Sequence, residues 1–219
     1  ADILVNKWLS PEKVKDADLL PGLVFRLFQF KTAPHTFAEI NYAVKPNQEG
    51  VVSQIEAGND GFGDFRDNFG AQAEGYLFLE KDDNVVMQLS SDDGSRLYID
   101  GQLLINHDGW HGSTPKEAEV ALRAGYHPIR IDYFQGGGGR GLFLKWARSG
   151  DPLFKTIPPQ HLARIKGAVP DNATSFGGGS TAIPGDGAVL KDVHPAYTLT
   201  QARPDEFLPK VAGMDFLSD

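Results

Sequence analysis

Residues 126–146 read YHPIRIDYFQGGGGRGLFLKW. Ile129, Ile131 and Tyr133 fall on one face of an extended chain, and Arg130 and Asp132 on the other. A period of two marks a half-buried strand. Leu142, Leu144 and Trp146 repeat that period after the glycines. Two strands therefore bracket Gln135 and the consecutive glycines 136–139. Nearer the N-terminus, GLVFRLFQF (22–30) and FGAQAEGYLFL (69–79) read as strands, the second as one or two. Val85–Leu89, Arg96–Ile99, Gln102–Ile105 and Glu119–Leu122 come next. Asp100-Gly101 is a hairpin-type dipeptide between two of them. Short strands at this spacing predict an all-β fold, an antiparallel, jelly-roll-like β-sandwich. Tyr98, Tyr133 and Trp146 read as core.

Composition agrees. The chain has 219 residues, 41% of them hydrophobic, with 25 glycines and 14 prolines clustered between apolar runs. This suits a turn-rich β fold with a proper core. The net charge of −8 repels phosphate backbones and argues against nucleic acid as a partner. With no cysteine, disulfides, thiolate zinc sites and cysteine nucleophiles are excluded. No apolar run approaches the roughly 20 residues that span a bilayer, so membrane insertion is not expected. The Ala1-Asp2 start reads as a mature terminus or as an arbitrary edge.

The expected organisation is a lead-in over 1–20 with weak helical character, a sandwich over 21–170, a Gly/Ser-rich linker over 171–193, and the start of a further domain or tail over 194–219. Thr32 to Gly70 reads as loop-rich, with a turn at Asn59-Asp60-Gly61.

Chemistry concentrates in SSDDGSRLYIDG, residues 90–101. Neighbouring side chains on a strand point apart, so Asp92 and Asp93 reach one point only through a turn or an unusual peptide bond. Calcium takes six to eight oxygen ligands, from carboxylates, amide and backbone carbonyls, and water. Asp92 and Asp93 supply charge, Gln135 a neutral oxygen, and the glycines a backbone free to adopt positive φ and turn carbonyls inward. On the residues alone, a plain Asp-Gly turn beside a mobile glycine loop is the more ordinary reading. Trp110 and His111, in NHDGWHG, read either as hairpin packing or as one wall of a site. Arg140 reads as a solvated loop charge or as a donor to a ligand hydroxyl. His107 and His111 are four apart, but Gly109 and Gly112 argue against the helix that would make this a zinc pair. His127 reads as structural. Asp60, Asp64 and Asp67 lack the alternation of an EF-hand, leaving a solvated loop or a second structural calcium site. No serine elbow, P-loop or dinucleotide fingerprint is present. Adjacent carboxylates also do not flank a glycosidic bond as a hydrolase requires.

The stretches DNFGAQAEGYLFLEKDDNVVMQLSSDDGSRLYIDGQLLIN and ALRAGYHPIRIDYFQGGGGRGLFLKW resemble the PA-fourteen domain family of the anthrax protective antigen type. The resemblance runs from about Leu23 to Ile157. It implies a lectin-like β-sandwich without catalysis of its own, a Ca2+ cofactor, and a carbohydrate partner, glycan or polysaccharide. In lectin members, consecutive aspartates joined by a cis peptide hold calcium, and sugar hydroxyls complete its shell. Carried over by motif, the metal ligands are Asp92, Asp93, Gln135 and the carbonyls of Gly137 and Gly139. Asp92, Asp93, Trp110, His111 and Arg140 are the sugar-facing set. Many members have asparagine where this chain has Gln135. The implied setting is a secreted, periplasmic or cell-surface protein with a covalently linked downstream domain. Two other readings stand beside it: a structural or protein-interaction module whose calcium braces loops, and an accessory fragment of a carbohydrate-active enzyme. The tail from His194 is similar to the opening of sugar-dehydrogenase-like β-propellers.

Overall fold

Alternation along each strand sorts the side chains between a buried seam and two outer faces. The computed structural model describes residues 8–170 and 173–176. In chain order the strands are β1 (Leu19–Pro21), β2 (Leu23–Gln29), β3 (Gln48–Val52), β4 (Glu56–Ala57), β5 (Phe69–Leu79), β6 (Asp83–Asp92) and β7 (Ser95–Ile99). Then come β8 (Gln102–His107), β9 (Thr114–Leu122), β10 (Gly125–Gln135), β11 (Gly141–Arg148), β12 (Asp151–Thr156), β13 (Leu162–Ile165) and β14 (Thr174–Ser175). They form two sheets. One has the order β14-β3-β2-β5-β10-β7-β8, with β1 and β13 attached; the other has β12-β11-β6-β9, with β4 beside β11. The fold is an all-β sandwich.

β10 pairs with β5 from Gly125↔Leu79 to Gln135↔Phe69 and forms the spine of the larger sheet. Its inward residues Ile129, Ile131 and Tyr133 join Phe25, Leu27, Leu97 and Ile99 in the core, against Val85, Met87, Leu89, Leu142, Leu144 and Trp146 of the facing sheet. Most of these are completely buried, each contributing on the order of 1.5–3 kcal/mol of transfer free energy.

Several elements depart from expectation. β3 and β4 lie inside the stretch that reads as loop; β4 is only two residues long, below any periodic signal. Among the described residues of the lead-in, the helical part is a single 3-10 turn, Asp16–Asp18. Leu9 instead bonds through its backbone to Ala121 and Arg123, and its side chain is buried. Tyr98 is not core. Leu97 and Ile99 take the inward positions of β7, leaving the Tyr98 ring half-buried under the Arg130 guanidinium at 4.0 Å. Thr174-Ser175, expected as linker, extends the larger sheet parallel to β3, and Phe176 is buried with its ring 5.6 Å from that of Phe25. The remaining linker and the tail, residues 171–172 and 177–219, lie outside the described residues. Among the described residues no helix is long and apolar enough to cross a membrane.

The connections between strands position the site. The chain passes between the sheets from β4 to β5 (58–68), β6 to β7 (93–94), β8 to β9 (108–113) and β10 to β11 (136–140). The registers Asp92↔Gly141, Ser91↔Thr114, Ser95↔His107, Leu142↔Ala57 and Gln135↔Phe69 put all four crossings at one end of the sandwich. The β2–β3 connection (30–47) is at the same end, because Gln29 pairs with Phe69.

Candidate functional site

Asp92 is the last residue of β6, and Asp93-Gly94 carries the chain to β7. The Asp92-Asp93 peptide bond is cis. The buried Ser91 and Ser95 hydroxyls meet at 2.6 Å across the turn's base. Gly94 lies behind it against the Phe134 ring, which would be 2.3 Å from any Cβ at that position. Only glycine lets the turn approach the β10 backbone this closely, and there Phe134 N–H donates to the Gly94 carbonyl at 2.9 Å.

The two carboxylates are treated differently. Asp93 is buried, and its oxygens accept two backbone N–H groups: His111 at 3.1 Å on Oδ1 and Gly136 at 2.9 Å on Oδ2. Hydrogen bonds to an ionised acceptor are the stronger kind. Asp93 is thus fixed by two loops that come from different sheet crossings. Asp92 is half-buried, and among the described residues no hydrogen bond reaches its carboxylate. Burial and the adjacent Asp93 charge raise its pKa, with His111 opposing. Both causes are the signature of a negative charge short of a partner.

Gln135, expected as a side-chain ligand, is completely buried. Its Oε1 accepts the Asp93 N–H at 3.1 Å and lies 2.7 Å from the Tyr133 hydroxyl. Its Nε2 donates to the Gly139 carbonyl at 2.8 Å. The amide thus spends its oxygen on the aspartate backbone and its nitrogen on the glycine loop. The Tyr133 hydroxyl also reaches the Asp92 carbonyl at 2.5 Å. Burial and the Asp93 and Asp92 charges push the Tyr133 phenol well above its ordinary range, so it stays protonated.

The glycine run works mainly by leaving room. Of its four residues only Gly138 has positive φ, at 89°. A Cβ on Gly139 would sit 3.0 Å from Asp92 Oδ2, and one on Gly136 would sit 2.8 Å from the Trp110 indole. Gly137 faces Asp67, whose Oδ1 would be 3.5 Å from a Cβ there.

Trp110 is 54% exposed beside this loop. Its Nε1–H donates to the Pro34 carbonyl at 2.7 Å, so the indole donor is used within the protein. His111 contributes its backbone N–H to Asp93, while its ring stacks on His107 at 3.7 Å with 14° between planes. Burial, together with His111 and Lys116, holds the His107 pKa down to about 4. Rings stacked face to face do not aim their nitrogens at a common metal. Among the described residues no group of three His, Asp or Glu side chains converges to hold an ion. A cation held by the Asp92–Asp93 pair would draw its other ligands from carbonyls and water. Arg140 turns toward the 58–68 loop, donating from its backbone N–H to Asn59 Oδ1 at 3.2 Å and from Nε to the Asn59 carbonyl at 2.8 Å. His127, read as structural, is completely buried between Asp100 and the Arg123 carbonyl.

The structure thus brings Asp92, Asp93, Gln135, Gly139, Trp110 and His111 together, with Arg140 anchored beside them. The backbone donors of His111 and Gly136, the Tyr133 hydroxyl and the Pro34 carbonyl were not legible in the sequence. Their contacts with Asp92, Asp93 and Trp110 span long chain separations, and all but the Tyr133 hydroxyl are main-chain groups, which carry no residue-type signal.

A calcium ion, implied by the family resemblance, fits these residues. Asp92 offers a charged carboxylate with no internal partner, and the Cβ-free face of Gly139 lies directly beside it.

The PA14 domain model matches residues 28–156, more than half of the chain. No curated protein gives a significant match. Among solved structures, the PA14 sugar-binding domain from an RTX adhesin superposes with a TM-score of 0.58 at 18% identity, covering 66% of this chain and 99% of that one. The PA14 domain of the MpAFP antifreeze protein gives 0.59 at 15%, covering 70% and 95%. The epithelial adhesin 9 A domain from Candida glabrata, in complex with Galβ1-3GlcNAc, gives 0.58 at 13%, covering 73% and 97%. Identities this low establish a shared fold. The comparisons lend the propeller-like reading of the tail from His194 no support, and that tail lies outside the described residues. With the family model spanning the strands and loops that build the aspartate turn, the chain belongs to the PA14 domain family.

Proposed function

We infer that this domain is a carbohydrate-binding module, without catalysis of its own, whose sugar docks at a calcium ion held by the Asp92 and Asp93 carboxylates and carbonyls of the 136–140 loop. The observation that carries this reading is the asymmetry of the pair. Asp93 is locked by two backbone N–H groups, and among the described residues no hydrogen bond reaches the Asp92 carboxylate beside Gly139. Gln135 acts as a positioning residue, joining the Asp93 N–H to the Gly139 carbonyl. Bound calcium supplies a Lewis-acidic point at which vicinal hydroxyls exchange with water. The sugar-binding adhesin domains that share the fold support a glycan partner and a secreted or cell-surface setting.

The test is calorimetric titration with simple sugars in calcium and in chelator, on the native chain and on Asp92→Ala. This variant is preferred to Asp93→Ala, which strands two buried N–H donors. Calcium at a hundred times its Kd stabilises the native chain by about 2.7 kcal/mol. Asp92→Ala removes that gain and sugar binding together, and leaves the metal-free protein as stable as before. Sugar affinity that is unchanged in chelator, or in Asp92→Ala, would refute the calcium mechanism.

A further inference from the structure

His35, in the β2–β3 connection, touches neither carboxylate of the aspartate turn. Its ring stacks on Trp110 with centroids 4.3 Å apart and 15° between planes. Its side chain is 63% exposed. The connection that carries it is tied at three points, two of them to the β8–β9 crossing and one to strand β10. Pro34 accepts the Trp110 indole N–H, Phe37 N–H donates to Asp108 Oδ1 at 3.0 Å, and the Tyr42 hydroxyl donates to the Tyr133 carbonyl at 2.6 Å. His35 N–H itself donates to Glu39 Oε2 at 3.1 Å. The ring is therefore held at the rim of the aspartate site on a braced loop.

Contacts run outward in order. The Asp93 carboxylate bonds Gly136, Gly136 abuts the Trp110 indole, and the indole carries His35 on its face. His35 is thus joined to the Asp93 carboxylate through Gly136 and then the indole. With its N–H taken by Pro34, Trp110 offers a ligand no donor, whereas the exposed imidazole, its Nδ1 3.7 Å from Glu39 Oε2, offers the face turned from the indole and its Nε2. Planar rings suit the C–H faces of sugars, and a ring nitrogen suits a hydroxyl. Glu39 beside His35, and Asp67 beside the glycine loop, disfavour an anionic saccharide.

We propose that His35 contacts a second sugar unit, so that the domain selects neutral oligosaccharides of two or more residues over monosaccharides. This rests on the sugar-binding function inferred for the aspartate site. The experiment titrates the calcium-loaded full chain with galactose, glucose and mannose and with lactose, cellobiose and mannobiose. At least one disaccharide binds ten-fold or more tighter than its terminal monosaccharide. His35→Ala cuts that ratio by about five-fold, in line with one aromatic contact, and moves monosaccharide affinity and the calcium midpoint less than two-fold. His35→Phe keeps the stack and retains part of the ratio. An undiminished ratio in His35→Ala overturns the proposal, as does a native chain that binds monosaccharides with no disaccharide gain. A native chain that binds none of the sugars in calcium overturns the underlying sugar-binding function instead.

Discussion

Gln135→Leu separates a positioning amide from a metal ligand. Leucine has nearly the volume of glutamine, so little cavity opens. It removes the acceptor of the Asp93 N–H at 3.1 Å and the donor to the Gly139 carbonyl at 2.8 Å. The Tyr133 hydroxyl keeps the Asp92 carbonyl as its acceptor. Gly139 sits in a loop that water reaches. The Asp93 N–H has neither remedy, and a buried donor left unsatisfied costs about 1–3 kcal/mol. In a domain of this size each kcal/mol moves Tm by roughly 2–4 °C, so about 2 kcal/mol lowers it by roughly 4–8 °C. The assay is thermal unfolding in chelator, where no ion contributes. A glutamine whose main role is to ligate calcium would leave this metal-free Tm unchanged and weaken only calcium binding. A Gln135→Leu protein that melts within 1 °C of native in chelator refutes the reasoning.

Charge and packing elsewhere in the sandwich give two more expected outcomes. Both ring nitrogens of the buried His127 face acceptors, Asp100 Oδ2 at 2.8 Å and the Arg123 carbonyl at 2.9 Å. Burial opposes the charge, but these two partners outweigh it and raise the pKa. The stability this adds is fully present below the unfolded histidine value near 6.5 and is lost as pH rises through the higher folded value. Unfolding measured across that window in chelator shows the decline, and His127→Gln removes it. Gly94→Ala places a methyl 2.3 Å from the buried Phe134 ring, at an overpacking cost of about 1–3 kcal/mol, read as a lower denaturant midpoint with an unchanged m-value.

The fold was legible wherever a strand buries one face. The phases of β10 and β11 are set by Ile129, Ile131, Tyr133, Leu142, Leu144 and Trp146, all of which are buried. Burial also runs through Asp132, on the polar side of the β10 pattern. There it accepts the Gln72 amide at 2.9 Å, and burial raises its pKa. The pairing of Asp92-Asp93 with Gln135 and the glycines was legible as residue types able to meet at a cation. Which sheet each strand joins was not, because alternation fixes the face of a strand and not its neighbours. The convergence of four crossings at one end therefore had no trace in the sequence. The surroundings of Gln135 were hidden for a related reason: an amide oxygen reads as a ligand by its type, and its burial beside the Asp93 N–H and the Tyr133 hydroxyl appears only in the fold.

That topology explains why adjacent acids are sustainable at this position. Each crossing leaves a strand end with backbone N–H groups that its own sheet does not pair. Two of these, from His111 and Gly136, fall on Asp93 and stabilise its charge with fixed dipoles. The same crossings supply Asp92 with none, and the basic side chain of Arg140 is drawn away to Asn59. One carboxylate is thus made a rigid part of the scaffold, and its neighbour is left as a charge at the edge of the protein. A mobile lysine or arginine over Asp92 would satisfy it and close the site. The chain instead places glycine there, and a Cβ at Gly139 would lie 3.0 Å from the carboxylate, so the space stays accessible from outside.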